Sequence, residues 1–351
     1  MKIMIVTEAW DPQVNGVVRT LKMTTRELES LGHEVRVVNP DMFFSFPCPT
    51  YPEIRIALAT RAHFRKIIDG FDPDVLHIAT EGPLGWAARG VALERGWRFS
   101  TGFHSRFPEY LHMRIRLPLS LSYALLRKFH NAGVATMVPT PVMLKTLDAL
   151  QFSKGVLWSR GVNTDVFHAD GDRLPRTDKP VFLYVGRLAV EKSVEDFLSL
   201  DLPGEKWVAG EGPSAAALRR RYPEARWFGL LSGDDLARIY RSASVMVFPS
   251  HTDTFGLVMI ESMACGTPVA AFPVTGPIDV LGDGPGGVMH TDLRQACLQA
   301  LKLDRKQVAR YAQKFSWAAA TRQFLGAVRP VTDSRTVSAL PQPRLAGTRN
   351  D

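Results

Sequence analysis

One stretch, residues 245–270, most constrains how this chain of 351 residues can fold. Its apolar β-type residues end at Pro249, a helical pattern begins at Phe255-Gly256, and that pattern stops at Gly266 before a second apolar strand. The stretch therefore predicts a strand, loop, helix and strand unit of the kind that builds open parallel sheets. Ligands of such sheets bind beyond the carboxyl ends of the strands, so we predict a binding position in this loop.

Two carboxylates, Asp253 and Glu261, bracket the amino end of the predicted helix. Backbone N–H groups and the helix dipole at that end favour a phosphate. Ionised carboxylates accept hydrogen bonds from sugar hydroxyls but repel phosphate. Together these demands predict a nucleotide-sugar pocket. The alternative is a surface helix whose acidic first turn complements the helix dipole.

The rest of the chain repeats the alternation of strands and helices in two halves. A mass of 39.0 kDa with 45% hydrophobic residues suits two domains of about 150 residues each. The first half opens with the strand pattern KIMIVTEA, and the pattern restarts with VFLYVGRL after a polar stretch near residues 168–180. We predict an α/β fold of two Rossmann-like, doubly wound domains, residues 1–167 and 168–310. Residues 331–351 are polar and basic and predict a disordered tail.

The net charge of +8 favours an acidic partner, which would be nucleic acid, an anionic membrane surface or a phosphorylated substrate. Basic residues lie among leucines along residues 111–130, and an amphipathic surface of that composition can lie on anionic lipid. The alternative for this run is a buried helix with basic ends. Because no aromatic and basic surface recurs, the sequence does not favour nucleic acid.

Targeting signals and cysteine usage predict the compartment. No apolar run reaches the roughly 18 residues of a membrane span, and the amino terminus lacks the apolar core of a signal peptide. The three cysteines are widely spaced and odd in number, which is typical of reduced thiols inside cells. These features predict a cytoplasmic protein.

Two cations lie in the loop after the first strand of the second half. Arg187 supplies a planar fork and Lys192 a mobile point charge, and together they match a diphosphate. If a bond to that diphosphate breaks, the same cations stabilise the charge that develops on the leaving group. The alternative is a solvated loop with an incidental pair between Glu191 and Lys192.

Two further residues are candidates at the mouth of the first half. His104 ends the strand pattern of residues 97–104, where a neutral imidazole would hydrogen-bond a sugar hydroxyl or act as an acid or base. Gly16 follows the first strand and permits close approach of backbone N–H groups to an anionic or polyol ligand. No G-x-G-x-x-G follows that strand, so a nicotinamide or flavin dehydrogenase is poorly supported, and no residue cluster has metal-ligand spacing.

Taken together, these motifs resemble the GT-B nucleotide-sugar glycosyltransferases. The resemblance is to the large retaining family that includes bacterial mannosyltransferases and the lipid sugar transferases making sulfoquinovosyl, glucosyl and glucuronosyl diacylglycerol. It runs from EAWDPQVNGVVRTL through TGFHSRFPEY, SRGVNTDVF and VGRLAVEK to PSHTDTFGLVMIESMACGTPVA, over about residues 1 to 325. Asp253 stands where most members carry Glu. The resemblance implies an acceptor-binding first domain, a donor-binding second domain facing it across a central cleft, and a helix within residues 311–330 that crosses back.

The resemblance also implies a role for each matching residue. Glu261 would bind the ribose, Asp253 the hydroxyls of the donor hexose, and Arg187 and Lys192 the diphosphate. Backbone N–H groups at Phe255, Gly256 and Leu257 would hydrogen-bond the donor, and the backbone near Leu230 would contact the base. Gly16 would approach the phosphate, and His104 would hydrogen-bond the transferred sugar.

The implied function is transfer of a hexose or hexuronic acid from a UDP- or GDP-sugar to a membrane lipid such as diacylglycerol. The resemblance implies retention of anomeric configuration, no metal or other cofactor, and a peripheral position on the inner face of the membrane. One alternative keeps the donor chemistry but assigns a polysaccharide or lipopolysaccharide acceptor. Another is a nucleotide-sugar-binding protein without turnover, which only the Asp at position 253 favours.

Overall fold

Two parallel six-stranded sheets with flanking helices form the frame of the protein, which confirms the predicted α/β class of two Rossmann-like domains. The structure is a computed structural model and describes residues 1–13, 15–48, 51–175 and 177–333.

The first domain has the strand order β2-β1-β5-β6-β7-β8, and β3 pairs with β4 in an antiparallel hairpin that the sequence did not predict. Its strands are β1 (Lys2–Val6), β2 (Glu34–Val38), β3 (Ser45–Cys48), β4 (Tyr51–Ala57), β5 (Val75–Ile78), β6 (Ser100–Gly102), β7 (Ala135–Val138) and β8 (Gly155–Leu157). Its helices are α1 (Gly16–Ser30), α2 (Arg61–Phe71), α3 (Pro83–Glu94), α4 (Phe107–Ile115), α5 (Leu119–His130) and α6 (Pro141–Ala149).

The second domain has the strand order β11-β10-β9-β12-β13-β14. Its strands are β9 (Val181–Val185), β10 (Glu205–Ala209), β11 (Arg226–Gly229), β12 (Val245–Phe248), β13 (Val269–Ala271) and β14 (Gly287–Met289). Its helices are α7 (Val194–Leu198), α8 (Ala215–Arg221), α9 (Gly233–Ser242), α10 (Leu257–Ala264), α11 (Pro277–Leu281), α12 (Leu293–Ala300) and α13 (Arg305–Ala312). The central strands β9 and β12 are buried along their whole length, as the continuous apolar runs of doubly wound sheets require.

Local chemistry explains the helix α1 that opens the first domain. The side chain of Asn15 caps it by accepting hydrogen bonds of 3.0 Å from the N–H groups of both Val17 and Val18. Leu21 and Leu28, seven residues apart, are buried on the face of α1 that packs into the core. The helix therefore presents its first turn to the space beyond the carboxyl end of β1.

The last helix, α14 (Trp317–Ala327), returns to the first domain and packs against α1. The N–H of Ser159 donates to Oε1 of Gln323 over 2.7 Å. Val331 is fully buried, and its N–H donates to the carbonyl oxygen of Asp74 over 2.9 Å. The predicted start of a disordered tail at residue 331 is therefore wrong. The polar residues around Val331 suggested disorder, but the apolar side chain of Val331 is buried. Residues 334–351 lie outside the described residues.

Candidate active site

Neighbouring strands bring the two predicted loops of the second domain together. β9 and β12 pair in parallel, with Phe182 opposite Val245 and Leu183 opposite Met246. Their carboxyl ends therefore meet at one edge of the sheet. Nζ of Lys192, after β9, lies 2.5 Å from Oδ1 of Asp253, after β12.

Backbone contacts fix the shape of the loop after β9. The hydroxyl of Tyr184 donates to the carbonyl oxygen of Arg187 over 2.8 Å, a contact that sequence reasoning missed. Gly210 approaches the same loop so closely that a Cβ there would lie 1.8 Å from the carbonyl oxygen of Gly186. The Gly210-Glu211-Gly212 segment thus permits two strand-end loops to touch, which the sequence did not reveal.

Hydrogen bonds connect the loop after β12 to the loop that contains Lys192. The hydroxyls of Ser250 and Thr252 donate to the carbonyl oxygen of Glu191 over 3.3 and 3.2 Å. The second oxygen of Asp253, Oδ2, is buried and has no hydrogen-bond partner among the described residues. Asp253 therefore combines one oxygen held by Lys192 with one that can accept a hydrogen bond from a ligand hydroxyl.

Gly256 and its neighbours form the start of α10. Gly256 has φ of +85°, a left-handed backbone conformation that favours glycine. Phe255 is buried and packs edge-on against Phe315, with ring centroids 6.0 Å apart. The first N–H groups of α10, beginning near Leu257, therefore follow directly on the Asp253 loop, and N–H groups at such a helix start can bind an anion.

Glu261, one turn into α10, is buried at 3% exposure and pairs with Arg19 of the first domain. The hydroxyl of Tyr240 donates to its Oε2 over 3.2 Å. Burial raises the pKa of Glu261 above its ordinary value, and Arg19 opposes that rise. A ribose that uses the Glu261 oxygens would have to displace Arg19. Neither Arg19 nor Tyr240 was predicted as a site residue.

His104 lies two residues beyond β6, and a side chain of the second domain holds its backbone. The hydroxyl of Thr254 donates to the carbonyl oxygen of His104 over 2.7 Å. Since Thr254 follows Asp253 directly, this bond brings the predicted residues of the two domains to the same place in the cleft. Burial, followed by the charge of Arg160, holds the pKa of His104 well below its ordinary value, so the imidazole is neutral.

The two remaining predicted residues occupy different positions. A Cβ on Gly16 would lie 3.6 Å from Cδ1 of Leu257, so the start of α1 meets the start of α10 across the cleft. Leu230 follows the edge strand β11 and is 59% exposed. The strand β10 separates β11 from β9, the strand that leads into the Lys192 loop.

A cavity of about 170 Å³ adjoins the ion pair between Arg19 and Glu261. Gly161 and Asn163, which follow β8, also line it, together with Gly233 of α9 and Trp317 of α14. Ligand sites for small molecules typically measure roughly 300–1,000 Å³. This cavity is therefore smaller than a typical small-molecule site.

Two Rossmann-like domains that meet at the carboxyl ends of their sheets, with cations, carboxylates and a helix start in the cleft, define a GT-B glycosyltransferase. Comparison with known proteins agrees. The family model described as Glycosyltransferase Family 4 matches residues 14–166, and that described as Glycosyl transferases group 1 matches residues 179–303.

Curated relatives identify the family more closely. A GDP-mannose-dependent alpha-mannosyltransferase of Mycolicibacterium smegmatis is 31% identical, over 82% of this chain and 84% of the relative. A sulfoquinovosyl transferase of Arabidopsis thaliana is 28% identical, over 88% and 69%. An alpha-monoglucosyldiacylglycerol synthase of Acholeplasma laidlawii is 25% identical, over 77% and 79%. The chain belongs to this family of GT-B glycosyltransferases, as the sequence motifs predicted.

Solved structures share the fold. Sucrose-phosphate synthase from Thermosynechococcus elongatus superposes with a TM-score of 0.77 at 19% identity, over 93% of this chain and 97% of that chain. The Anabaena protein HepE, in complex with UDP and glucose, gives a TM-score of 0.68 at 12% identity, over 93% and 98%. Within the described residues, no helix is both long enough and apolar enough to span a membrane.

Proposed function

We propose that this glycosyltransferase moves a hexose or hexuronic acid from a UDP- or GDP-sugar to a diacylglycerol-like membrane lipid, with retention of anomeric configuration. The protein would work at the cytoplasmic face of the membrane as a peripheral enzyme. The observation that carries the proposal is the contact of Lys192 with Asp253 beside the bond from Thr254 to His104. It supports a single position where a diphosphate, a sugar and an acceptor from the first domain would meet.

The donor half of the proposal assigns each part of a nucleotide sugar to a chemically matched group. Lys192, together with Arg187 and the first N–H groups of α10, would bind the diphosphate. Oδ2 of Asp253 would accept a hydrogen bond from a hydroxyl of the hexose, and Glu261 would accept from the ribose hydroxyls. The solved complex of HepE with UDP and glucose supports a donor of this class by similarity of fold.

In the proposed reaction the bond between the anomeric carbon and the diphosphate oxygen breaks, and its electron pair stays on the diphosphate. Lys192, Arg187 and the α10 dipole stabilise that developing charge. The acceptor hydroxyl then bonds to the anomeric carbon on the same face and gives its proton to the departing phosphate. The proposal includes no metal, because two side-chain cations and a helix start supply the positive charge.

The acceptor half of the proposal depends on α4 and α5. The apolar and basic run at residues 111–130 covers the end of α4 and all of α5. The helix α4 is capped at Arg116, and α5 begins after Pro118. One face of α5 is buried, but Leu121 and Leu125 on another face are 59% and 53% exposed. Exposed leucines beside basic residues fit a lipid surface. The synthase of Acholeplasma laidlawii, a relative named for a glucosyldiacylglycerol, supports a lipid acceptor.

A second candidate keeps the same donor chemistry with GDP-mannose and a polysaccharide or lipopolysaccharide acceptor. The mannosyltransferase relative from Mycolicibacterium smegmatis favours this candidate. At 31% identity, it is more similar to this chain than the sulfoquinovosyl transferase or the glucosyldiacylglycerol synthase described above. The shorter side chain of Asp253 bears equally on both candidates, because it would change the fit of the hexose in either case.

One assay separates the candidates. Purified protein is incubated with UDP- and GDP-sugars, labelled in the sugar, together with a bacterial lipid extract. Label in the organic phase supports a lipid acceptor, and the anomeric coupling constants of the product report retention or inversion. A parallel incubation replaces the lipid extract with polysaccharide and lipopolysaccharide, and label that enters only this material would favour the second candidate. If no donor loses its sugar to acceptor or to water, the assignment as an active transferase is wrong.

A further inference from the structure

Arg160 is a buried arginine directly behind His104, and the proposed chemistry gives it no role. Its side chain is 4% exposed. One guanidinium nitrogen, Nη1, donates to the carbonyl oxygens of Trp158 and Ser159 over 2.5 and 3.0 Å. The guanidinium carbon also lies 4.6 Å from the centroid of the Trp158 ring. These contacts hold the guanidinium in one orientation.

The other terminal nitrogen, Nη2, lies 3.2 Å from Nδ1 of His104. A guanidinium has donors and no acceptor, so this hydrogen bond runs from Arg160 to His104. Nδ1 must therefore carry a lone pair. A neutral imidazole has one ring proton, and in His104 that proton must lie on Nε2.

We propose that Arg160 is a positioning residue that fixes His104 as the Nε2–H tautomer, so that His104 donates a hydrogen bond to an oxygen of the transferred sugar. This inference rests on the proposed function and deepens it. Of the roles that the sequence left open for His104, it selects hydrogen bonding of a sugar oxygen. A general base would need a free ring lone pair, and Arg160 occupies the one that His104 has.

The position of Nε2 fits a donor that awaits a ligand. It is buried and has no hydrogen-bond partner among the residues that the structure describes. It lies over Gly102, the last residue of β6, where a Cβ would approach it to 2.5 Å. Glycine at position 102 thus leaves room for the ring at the carboxyl edge of the sheet, where ligands of such sheets bind.

The surroundings keep His104 neutral. Burial is the main cause of its low pKa, and the charge of Arg160 acts in the same direction, as would a proton on the neighbouring imidazole of His77 or His130. The ring of Trp158 packs edge-on against His104, with centroids 5.5 Å apart, and brings no charge. From the second domain, Thr254 contacts the backbone carbonyl of His104 with an uncharged hydroxyl. Protonation of Nδ1 would bring two cationic groups into contact.

Nitrogen NMR of the full chain with ¹⁵N-labelled imidazoles tests the tautomer directly, because protonated and lone-pair nitrogens resonate far apart. The His104 signals are assigned by their loss in His104→Gln. We expect a protonated Nε2 and an unprotonated Nδ1 in the wild-type chain, without titration between pH 7 and pH 5. A protonated Nδ1, or titration near the ordinary histidine pKa, would overturn the inference without any variant.

Substitution of Arg160 tests its role. We expect Arg160→Met to release the tautomer, to let His104 titrate, and to lower kcat by about tenfold or more with little change in donor KM. Arg160→Lys keeps a donor and should restore both the tautomer and most of kcat. The matched control is Arg89→Met, since Arg89 also stacks on a tryptophan and donates to two backbone carbonyls. An unchanged His104 signal and kcat in folded Arg160→Met would overturn the inference.

The inference and the proposed function fail in different ways. If the wild-type chain transfers sugar but His104 carries its proton on Nδ1, the inference is overturned and the proposed function stands. If no donor yields transfer, the proposed function is wrong, and the sugar-binding role of His104 is wrong with it.

Discussion

Arg19 of α1 and Glu261 of α10 form an ion pair across the cleft, and Tyr240 donates to the same carboxylate. The pair joins the first domain to the group that we propose for the ribose. Ribose hydroxyls must therefore replace Arg19 before they can use both carboxylate oxygens, and part of the free energy of donor binding opposes this exchange.

We expect Arg19→Ala to bind UDP or GDP a few-fold more tightly than the wild type, because the competing cation is gone. Isothermal titration of the nucleotide into both proteins measures the difference, and Arg19→Lys should keep wild-type affinity. Weaker binding by Arg19→Ala would mean instead that Arg19 contacts the nucleotide.

Lys192→Ala should lower kcat by about 10²- to 10³-fold, because it removes a preorganised cation from the leaving diphosphate. Nucleotide affinity should fall far less, since Arg187 and the start of α10 remain. The control is Lys302→Ala at an exposed lysine. Rates are followed by release of the nucleoside diphosphate. Equal losses in affinity and in kcat/KM would place Lys192 in ground-state binding alone.

Asp253→Glu should change the choice of donor sugar rather than abolish transfer. The extra methylene advances the carboxylate toward the sugar and keeps a partner for Lys192. Competition between two labelled sugars on the preferred nucleotide measures the ratio of kcat/KM. Asp253→Asn is the comparison, and we expect it to lose at least about tenfold in rate with every donor. If the ratio of kcat/KM is the same in Asp253→Glu as in the wild type, Asp253 does not determine the choice of donor sugar.

The exposed leucines of α5 should anchor the protein to anionic vesicles. We expect Leu121→Ser together with Leu125→Ser to lower the bound fraction severalfold in flotation with phosphatidylglycerol vesicles. Higher salt should weaken binding further, because the neighbouring charges are screened. Leu93→Ser, at an exposed leucine on α3, is the matched control. Full binding by the double variant would remove α5 from the proposed membrane surface.

Buried neutral histidines should make the fold acid-sensitive. Burial lowers the pKa of His77 from 6.5 to about 3. The unfolded chain therefore binds more protons than the folded chain at pH values between 3 and 6.5, and the free energy of unfolding falls as the pH drops through that window. Between pH 7 and pH 5 this single group accounts for about 2 kcal/mol. Urea unfolding of His77→Gln should show a loss smaller by that amount, whereas His251→Gln, at an exposed histidine, should match the wild type. Equal acid sensitivity of both variants would contradict this origin.

Sequence patterns were sufficient to predict those site residues whose position depends on a single strand and the loop that follows it. Lys192 and Asp253 were predicted because each follows an apolar strand, and the sheet then makes those strands neighbours. Gly256 was predictable for a similar reason, since the start of a helix after a strand has few alternatives.

Contacts between the domains were not predictable from these patterns. Arg19 lies on a helix whose apolar spacing predicts only how that helix packs within the first domain. Its partner Glu261 is 242 residues away. Thr254 and Arg160 reach His104 from other elements, and neither carries a local signal for that contact. Their roles depend on how the two domains close, which the periodicity of a single strand or helix does not record.

The return of α14 to the first domain means that the chain passes between the domains twice, first near residues 158–180 and again before Trp317. Two covalent crossings keep the domains attached to each other on both sides of a hinge, which is compatible with the hinge motions that open and close clefts around ligands. A proteolytic nick in the first crossing would leave the cut pieces associated, and a donor site assembled from both would survive the cut.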